Sequence, residues 1–472
     1  MVRGGQKVYR KHVRGGDCMR KRIFLMVLCI GIIMSFVITS SPLVFGQTKP
    51  AQPAKPAPAA KPEPAKPAQP AKPIIIGVPT SLYTPFGRDG LKAVNLAVEE
   101  INAKGGVLVG KERRLFKVVV TDTRDGEPAT PTHDALMAYE KLILEQKPHA
   151  VLIAPFRSEA LIASMDLVAK YKIPQLGTIA QTPAFQRQFK TDPEKYKYLF
   201  RVTTDATVPG MYISRALDLL KKDFKLENLY ILYQDTLWAK AFADVVRKHG
   251  QETGWKEVGY DAYAAGASDF SPGLTKAKEG KAQVIAMMWD VPLGAGIFAK
   301  QYVAMQVPAL LVGFIPPMGS PAAVKAVGQE VEYSITVEFP VGASLALKKL
   351  PKTVEFLDKF KKKYKDLPEP PAVNSSAYDS VFILAQAIER AGTLDADKLV
   401  AALEQTDYKG VSGRIRFNKE QHTAIFGDKD PNETGVSVVF QWQKDKTGTL
   451  IRVPIYPDFV AEGKVLLPPW MK

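Results

Sequence analysis

The chemistry open to this chain is bounded first by the side chains its body lacks. Both cysteines, Cys18 and Cys29, lie within the first 30 residues. The remainder therefore offers no thiolate nucleophile, no Cys-ligated metal and no disulfide. The four histidines of the body, His133, His149, His249 and His422, are scattered along the chain, a usage that fits packing or surface roles. There is no Gly-x-Ser-x-Gly elbow and no His-Glu-x-x-His pair, the patterns of an activated serine and of a zinc site. Glu99 and Glu100 are adjacent on a helical pattern and so point in different directions. Gly294-Ala295-Gly296 lacks the third glycine and the strand-to-loop placement of a dinucleotide site. Neither a catalytic centre, a metal nor a cofactor is implied. What remains is the chemistry of holding a small molecule. Pro155-Phe156-Arg157-Ser158 follows an apolar run and opens a helix, where free N–H groups can hold a carboxylate. Arg157 could add a bidentate clamp, or simply point to solvent as most arginines do. Gln181, or Thr182 beside it, can hydrogen-bond a ligand. Trp238 could line a pocket or pack in a core. Asp290, after Trp289, could pair with an ammonium, cap a helix or lie on the surface.

These residues are useful only if the backbone gathers them, and the hydropathy pattern supplies a way. Ile74–Val78 is a continuous apolar run, as expected of a parallel strand buried on both faces. In the helix after it, Val94, Ala97, Val98 and Ile101 share one face, and Gly105-Gly106 ends it. Strands are expected at 115–121, 150–154 and 174–178, with helices at 131–146 and 159–171 between them. The rhythm restarts after Arg201: helices at 211–221, 239–253, 270–278 and 294–305 alternate with strands at 229–233, 258–262, 284–288 and 309–312. Helices follow at 353–364, 375–391 and 395–404, then β-structure at 413–417 and 436–453 around a Lys-Thr-Gly turn. Strict alternation of this kind builds open parallel sheets with right-handed crossovers. The fold class expected is α/β, with two doubly wound parallel-sheet lobes in succession. In such sheets ligands bind beyond the C-terminal strand ends, which is where the loops carrying these residues fall.

The chain has 472 residues, 46% of them hydrophobic, and a formal net charge of +16. That excess is not a nucleic-acid footprint. Residues 1–73 hold 13 Lys+Arg against 2 Asp+Glu, and the other 399 residues are close to balance. Lys21-Arg22 followed by the apolar run Ile23–Val37 and a polar break at Thr39–Ser41 has the shape of a secretory signal. Val44 and Gly46 suit cleavage after Gly46. The stretch 23–45 is also nearly long enough to span a bilayer, so a retained N-terminal anchor is the second reading. Cys29 follows Leu28 where a lipidated cysteine would need a small neighbour, and Met19 is a more usual start than Met1. Residues 47–73 contain 9 Pro, 8 Ala and 5 Lys. They are expected to form an extended segment, reaching roughly 80 Å at about 3.1 Å per residue, either a stiff spacer if the anchor is kept or a disordered N-terminus left after cleavage.

With these residues in view, a resemblance emerges. The runs Ile75-Ile76-Gly77-Val78, Phe86-Gly87 and Ala97-Val98-Glu99-Glu100-Ile101-Asn102-Ala103-Lys104-Gly105-Gly106 resemble the opening of the leucine/isoleucine/valine-binding proteins. These are the type I periplasmic solute-binding proteins of ABC importers. Further similar segments follow in order: 154–164, Ile173-Pro174, Tyr198-Leu199-Phe200-Arg201, Ile231-Leu232-Tyr233 and Asp269-Phe270-Ser271. Together they span most of residues 74–445.

The resemblance implies two lobes joined by a three-segment hinge, with crossovers expected near Thr204, Val337 and Gly435. Lobe 1 would be 74–204 plus 338–435, and lobe 2 would be 205–337 plus 436–472. It implies a monomeric, exported receptor, periplasmic and either free or anchored by residues 23–45. Such a receptor takes a small solute and passes it to ABC permease subunits, without cofactor, metal or nucleic acid. A membrane-tethered sensor domain acting on a protein partner is the alternative. The residues expected to bind ligand are Phe86, Arg157, Ser158, Ala180, Gln181, Trp238 and Asp290, with Trp289 as a further aromatic candidate. The family's acid for the ligand ammonium is displaced: Ile315 occupies one expected position and Val208 the other, with Asp205 nearby. An ammonium buried without a counter-charge is costly. The ligand expected is therefore a small carboxylate or amide, aromatic in keeping with Phe86, Trp238 and Trp289, unless Asp290 supplies the missing charge.

Overall fold

A computed structural model describes residue 46 and residues 71–127, 130–320, 322–365 and 374–471. The signal or anchor segment and most of the Pro/Ala/Lys linker lie outside the described residues. All the elements below belong to one unit, Ala68–Lys472.

Two seven-stranded sheets organise this unit. The first runs, edge to edge, Phe417–Asn418, Thr423–Ala424, Leu199–Arg201, Gln175–Gly177, Ala150–Ile153, Ile74–Thr80 and Phe116–Asp122. It is parallel except for its first pair. The second runs Leu450–Tyr456, Val438–Lys444, Ile335–Glu338, Leu310–Phe314, Val284–Met288, Asn228–Gln234 and Lys256–Tyr263. Its two edge strands from the chain's end are antiparallel and the rest parallel. The expected α/β architecture of two parallel-sheet lobes is what the chain forms. The chain passes between the sheets three times, between residues 201 and 228, 338 and 417, and 424 and 438.

The central strands are apolar throughout because helices cover both their faces. Val284–Met288 and Leu310–Phe314 are buried along their whole length. The second sheet accordingly carries two separate cores, one on each face. Its strands also approach closely. A Cβ on Gly313 would stand 1.8 Å from the Met287 carbonyl oxygen. Gly294 is a packing glycine as well, since a Cβ there would meet the Trp289 ring at 2.6 Å. That accounts for Gly294 without a nucleotide. One hairpin, Val107–Val109 with Glu112–Arg114, carries no long apolar run to announce it; Gly110 turns it at φ 62°.

The helix Asn374–Ala391 of the first lobe carries a buried carboxylate. Asp379 is fully buried and accepts the Val411 N–H at 2.9 Å through Oδ2, while Oδ1 has no partner. Burial pushes its carboxyl up to about 7. In the unfolded chain it ionises near 4. As pH rises from about 4 to 7, the unfolded chain gives up this proton before the folded one does, so stability falls across that window and is level above it. Asp379→Asn is expected to stabilise the protein at pH 8 by up to about 4 kcal/mol relative to its effect at pH 4. Urea denaturation at the two pH values checks this; equal effects would show that Asp379 ionises normally.

Candidate functional site

The strands end on one side of each sheet, and their following loops converge. A narrow cleft of about 400 Å³, counted out to its mouth, is lined by Phe86, Phe156, Ser158, Ile179, Ala180, Gln181, Trp238, Asp290 and Phe314. Each lies at or just beyond the C-terminal end of a parallel strand, the position where α/β sheets hold ligands. The first sheet supplies residues up to Gln181, and the second supplies Trp238, Asp290 and Phe314.

Phe86 opens the helix Pro85–Ala103, whose first turn is capped by Thr84 Oγ1 accepting the Gly87 N–H. A Cβ at Gly87 would stand 1.9 Å from the Ser81 carbonyl oxygen, so glycine lets the loop fold tightly here. The Phe86 ring lies 5.7 Å from that of Phe156. The loop bearing Phe156 leaves its strand through two left-handed residues, Ile153 at φ 70° and Ala154 at φ 68°. For a β-branched residue this is strained backbone, of a kind that concentrates at functional sites. Asp125 holds the loop: its carboxylate accepts the Arg157 N–H at 2.7 Å and the Thr123 hydroxyl at 2.6 Å. Burial still keeps that carboxyl above the usual carboxylate range. Ser158 then starts the helix Ser158–Tyr171, and its hydroxyl is buried with no partner in the protein.

The loop 178–183 is fixed by buried Arg201, whose Nη2 donates to the Thr182 carbonyl at 3.0 Å. Thr182 Oγ1 accepts the Ala184 N–H, so Gln181, not Thr182, faces the cleft. In the second lobe Trp238 packs edge-on against Phe242 and Phe314 at 5.3 and 5.7 Å. It is at once a core residue and a cleft wall, and its Nε1–H has no partner.

Arg157 and Asp290 find each other. Arg157 Nη1 donates to Asp290 Oδ2 at 2.9 Å, with side chains 16% and 8% exposed. The guanidinium also sits over the Phe156 ring at 4.8 Å. Arg157 is therefore not a solvent-facing side chain, and one nitrogen of its guanidinium is engaged by Asp290. Asp290 is not a surface or capping residue. A second link joins the lobes: Glu159 Oε1 accepts the Leu237 N–H at 3.0 Å, supplying a carboxylate to the first turn of the helix Leu237–Glu252, whose own N-cap Thr236 makes no side-chain bond.

Trp289 does not reach the cleft. It is fully buried in one core of the second lobe, edge-on to Phe270 at 5.1 Å, with Nε1 donating to the Val291 carbonyl. Ile315 is likewise core, whereas its neighbour Phe314 lines the cleft. Strand alternation sends adjacent residues to opposite faces, which brings Phe314, not singled out in the sequence, to the cleft. Phe156 and Ile179 lay unmarked inside loops already singled out. Asp205 is engaged elsewhere, accepting from Gln186 Nε2 and the Thr207 N–H. Three of the body's four histidines are committed as well. His149 Nδ1 accepts the Ile75 N–H, His249 pairs with Asp218 and His422 stacks on Phe200. His133 is exposed. Among the described residues no cluster of three metal-ligating side chains occurs, and no helix is long and apolar enough to cross a membrane.

Residues 74–443 match the periplasmic binding protein family, and the chain belongs to that family. The chain is 25% identical over 378 residues to Leu/Ile/Val-binding protein homolog 2 of Brucella abortus, covering 79% of this chain and 91% of the relative. It shares its fold with a branched-chain amino acid transporter substrate binding protein of Streptococcus pneumoniae solved with isoleucine (TM-score 0.63, 24% identity, 82% and 100% covered). A solute binding protein of an ABC transporter from Rhodopseudomonas palustris, solved with 3,4-dihydroxybenzoic acid, is also similar (TM-score 0.65, 16% identity, 82% and 98% covered). Family members are solute-binding proteins of ABC transporters that act outside the cytoplasm on small molecules, not enzymes.

Proposed function

We propose that this chain is the extracytoplasmic receptor of an ABC importer. It captures a small amino acid-like, carboxylate or amide solute between its lobes, closes on it about the three crossovers and delivers it to a membrane permease. The observation that carries this reading is a set of buried, unpaired polar atoms in one cleft: Ser158 Oγ from one lobe, Trp238 Nε1 and Asp290 Oδ1 from the other. Buried polar atoms are nearly always hydrogen-bonded, and a bound solute completes these. Four aromatic rings around them suit a flat or apolar body. Phe86, Ala180 and Gln181 shape the wall, and Arg157 holds Asp290. The structural relatives solved with isoleucine and with an aromatic acid support both ligand types. Contacts made to both lobes at once favour the closed form. The receptor acts as a monomer, exported by residues 23–45. An exported chain beginning at Gln47 would mark it as free, and one keeping residues 23–45 as tethered.

Differential scanning calorimetry with L-leucine, L-phenylalanine, benzoate, benzamide and 3,4-dihydroxybenzoate tests the reading. A ligand at 1,000 times its Kd adds about 4 kcal/mol of stability, so at least one compound should raise Tm by several degrees. No shift with any of them would contradict it.

A further inference from the structure

We infer that the Arg157–Asp290 pair determines specificity in the cleft, selecting a solute that presents an uncharged hydrogen-bond donor, a hydroxyl or amide N–H, over one that presents an ammonium. The inference rests on the solute-receptor reading and narrows it. Asp290 is the one acidic side chain among the described residues lining the cleft. Its Oδ2 is taken by Arg157 and its Oδ1 is buried without a partner, so Oδ1 asks for a donor. Its backbone N–H is fixed by Gln234 Oε1 at 3.2 Å.

Arg157 cannot readily swing away. Its N–H is held by Asp125 and its guanidinium lies on Phe156. The charges of the pair cancel. A hydroxyl or amide N–H donates to Oδ1 without disturbing that balance. An ammonium there sets a second cation beside Arg157, with only Asp290 and Asp125, whose ionisation burial disfavours, to offset the two; in a site shielded from water like charges repel strongly. Toward the solute's other end, Trp238 Nε1–H can only donate and the Ser158 hydroxyl can do so. Both suit a carboxylate or carbonyl.

Matched pairs isolate the term, because only the donor differs: L-phenyllactate against L-phenylalanine, and L-2-hydroxy-4-methylpentanoate against L-leucine. Titration calorimetry on the full chain should show at least one hydroxy acid bound about tenfold or more tighter than its amino acid. Arg157→Gln should cut that ratio below about twofold or reverse it. Arg157→Lys, which keeps the cation, should preserve the ratio, so a loss with Gln reads as charge and not as fold. Asp290→Asn leaves Arg157 without this counter-charge and should keep or widen the ratio. Amino acids bound as tightly as their hydroxy acids by the natural protein, or a ratio unchanged in Arg157→Gln, would overturn the inference while leaving a solute receptor. Failure to bind either hydroxy acid would overturn it too, and the broader reading then stands or falls on the calorimetric panel above.

Discussion

Trp238→Ala should abolish detectable solute binding and cost about 3–5 kcal/mol of stability. Both effects come from one side chain. The indole fills the corner between Phe242 and Phe314 in the core of the second lobe. Its exposed edge forms part of the cleft, with the Nε1–H unpaired. Truncation opens a void in the core and removes a wall of the site. Trp238→Phe separates the two roles. A six-membered ring still packs there, so stability should fall by less than about 1.5 kcal/mol. The lost N–H should weaken binding by about tenfold, the worth of one buried hydrogen bond. Urea denaturation and titration calorimetry read the two losses independently. Undiminished binding by Trp238→Phe would show that the N–H does not face the solute.

Glu338→Ala should lower stability by at least about 4 kcal/mol. Glu338 ends the strand Ile335–Glu338 where the chain leaves the second sheet for the second crossover. Its buried Oε1 accepts four successive N–H groups, of Gly342, Ala343, Ser344 and Leu345, each at 3.1 Å. Its Oε2 accepts the Ser344 hydroxyl. Arg452 reaches in from the edge strand, 3.9 Å from Oε2, and donates to the Ser344 hydroxyl and carbonyl and to the Gly319 carbonyl. Burial pushes the Glu338 carboxyl up, against the opposing pull of Arg452 and the N–H groups. Alanine would strand four buried donors together and remove the carboxylate that faces Arg452. Glu338→Gln keeps one acceptor oxygen for the four N–H groups and should lose much less. Equal losses in the two variants would mean that the charge, and not the acceptor geometry, organises this crossover.

Much of this architecture is legible because parallel strands buried on both faces read as unbroken apolar runs. Val284–Met288 is a clear case, and the loops after such runs mark the rim of each sheet. Phe86, Ser158, Ala180, Gln181, Trp238 and Asp290 come together in one cleft from loops picked in that way. Pairing across lobes is not legible. Arg157 and Asp290 are 133 positions apart, and nothing local to either states that each answers the other. The left-handed backbone at Ile153 and Ala154 is also silent, since neither residue type favours it. The Glu338 nest is hidden for a related reason: four N–H groups turn inward together only because Gly342 adopts φ 83°, while the residue string around it looks like ordinary loop. Trp289 shows the opposite failure. Its type suggested a pocket wall, yet its place beside the strand end turns it into the core.

The most direct test of a solute-driven clamp is the distance between the lobes. With Cys18 and Cys29 replaced by serine, the body has no other cysteine, so Lys141→Cys and Lys248→Cys can each carry a spin label at an exposed site, one on each lobe. Pulsed electron–electron double resonance should show a broad distribution without solute, and a single narrow one once the tightest-binding compound saturates the protein. A distribution that stays the same while calorimetry shows full binding would contradict the account.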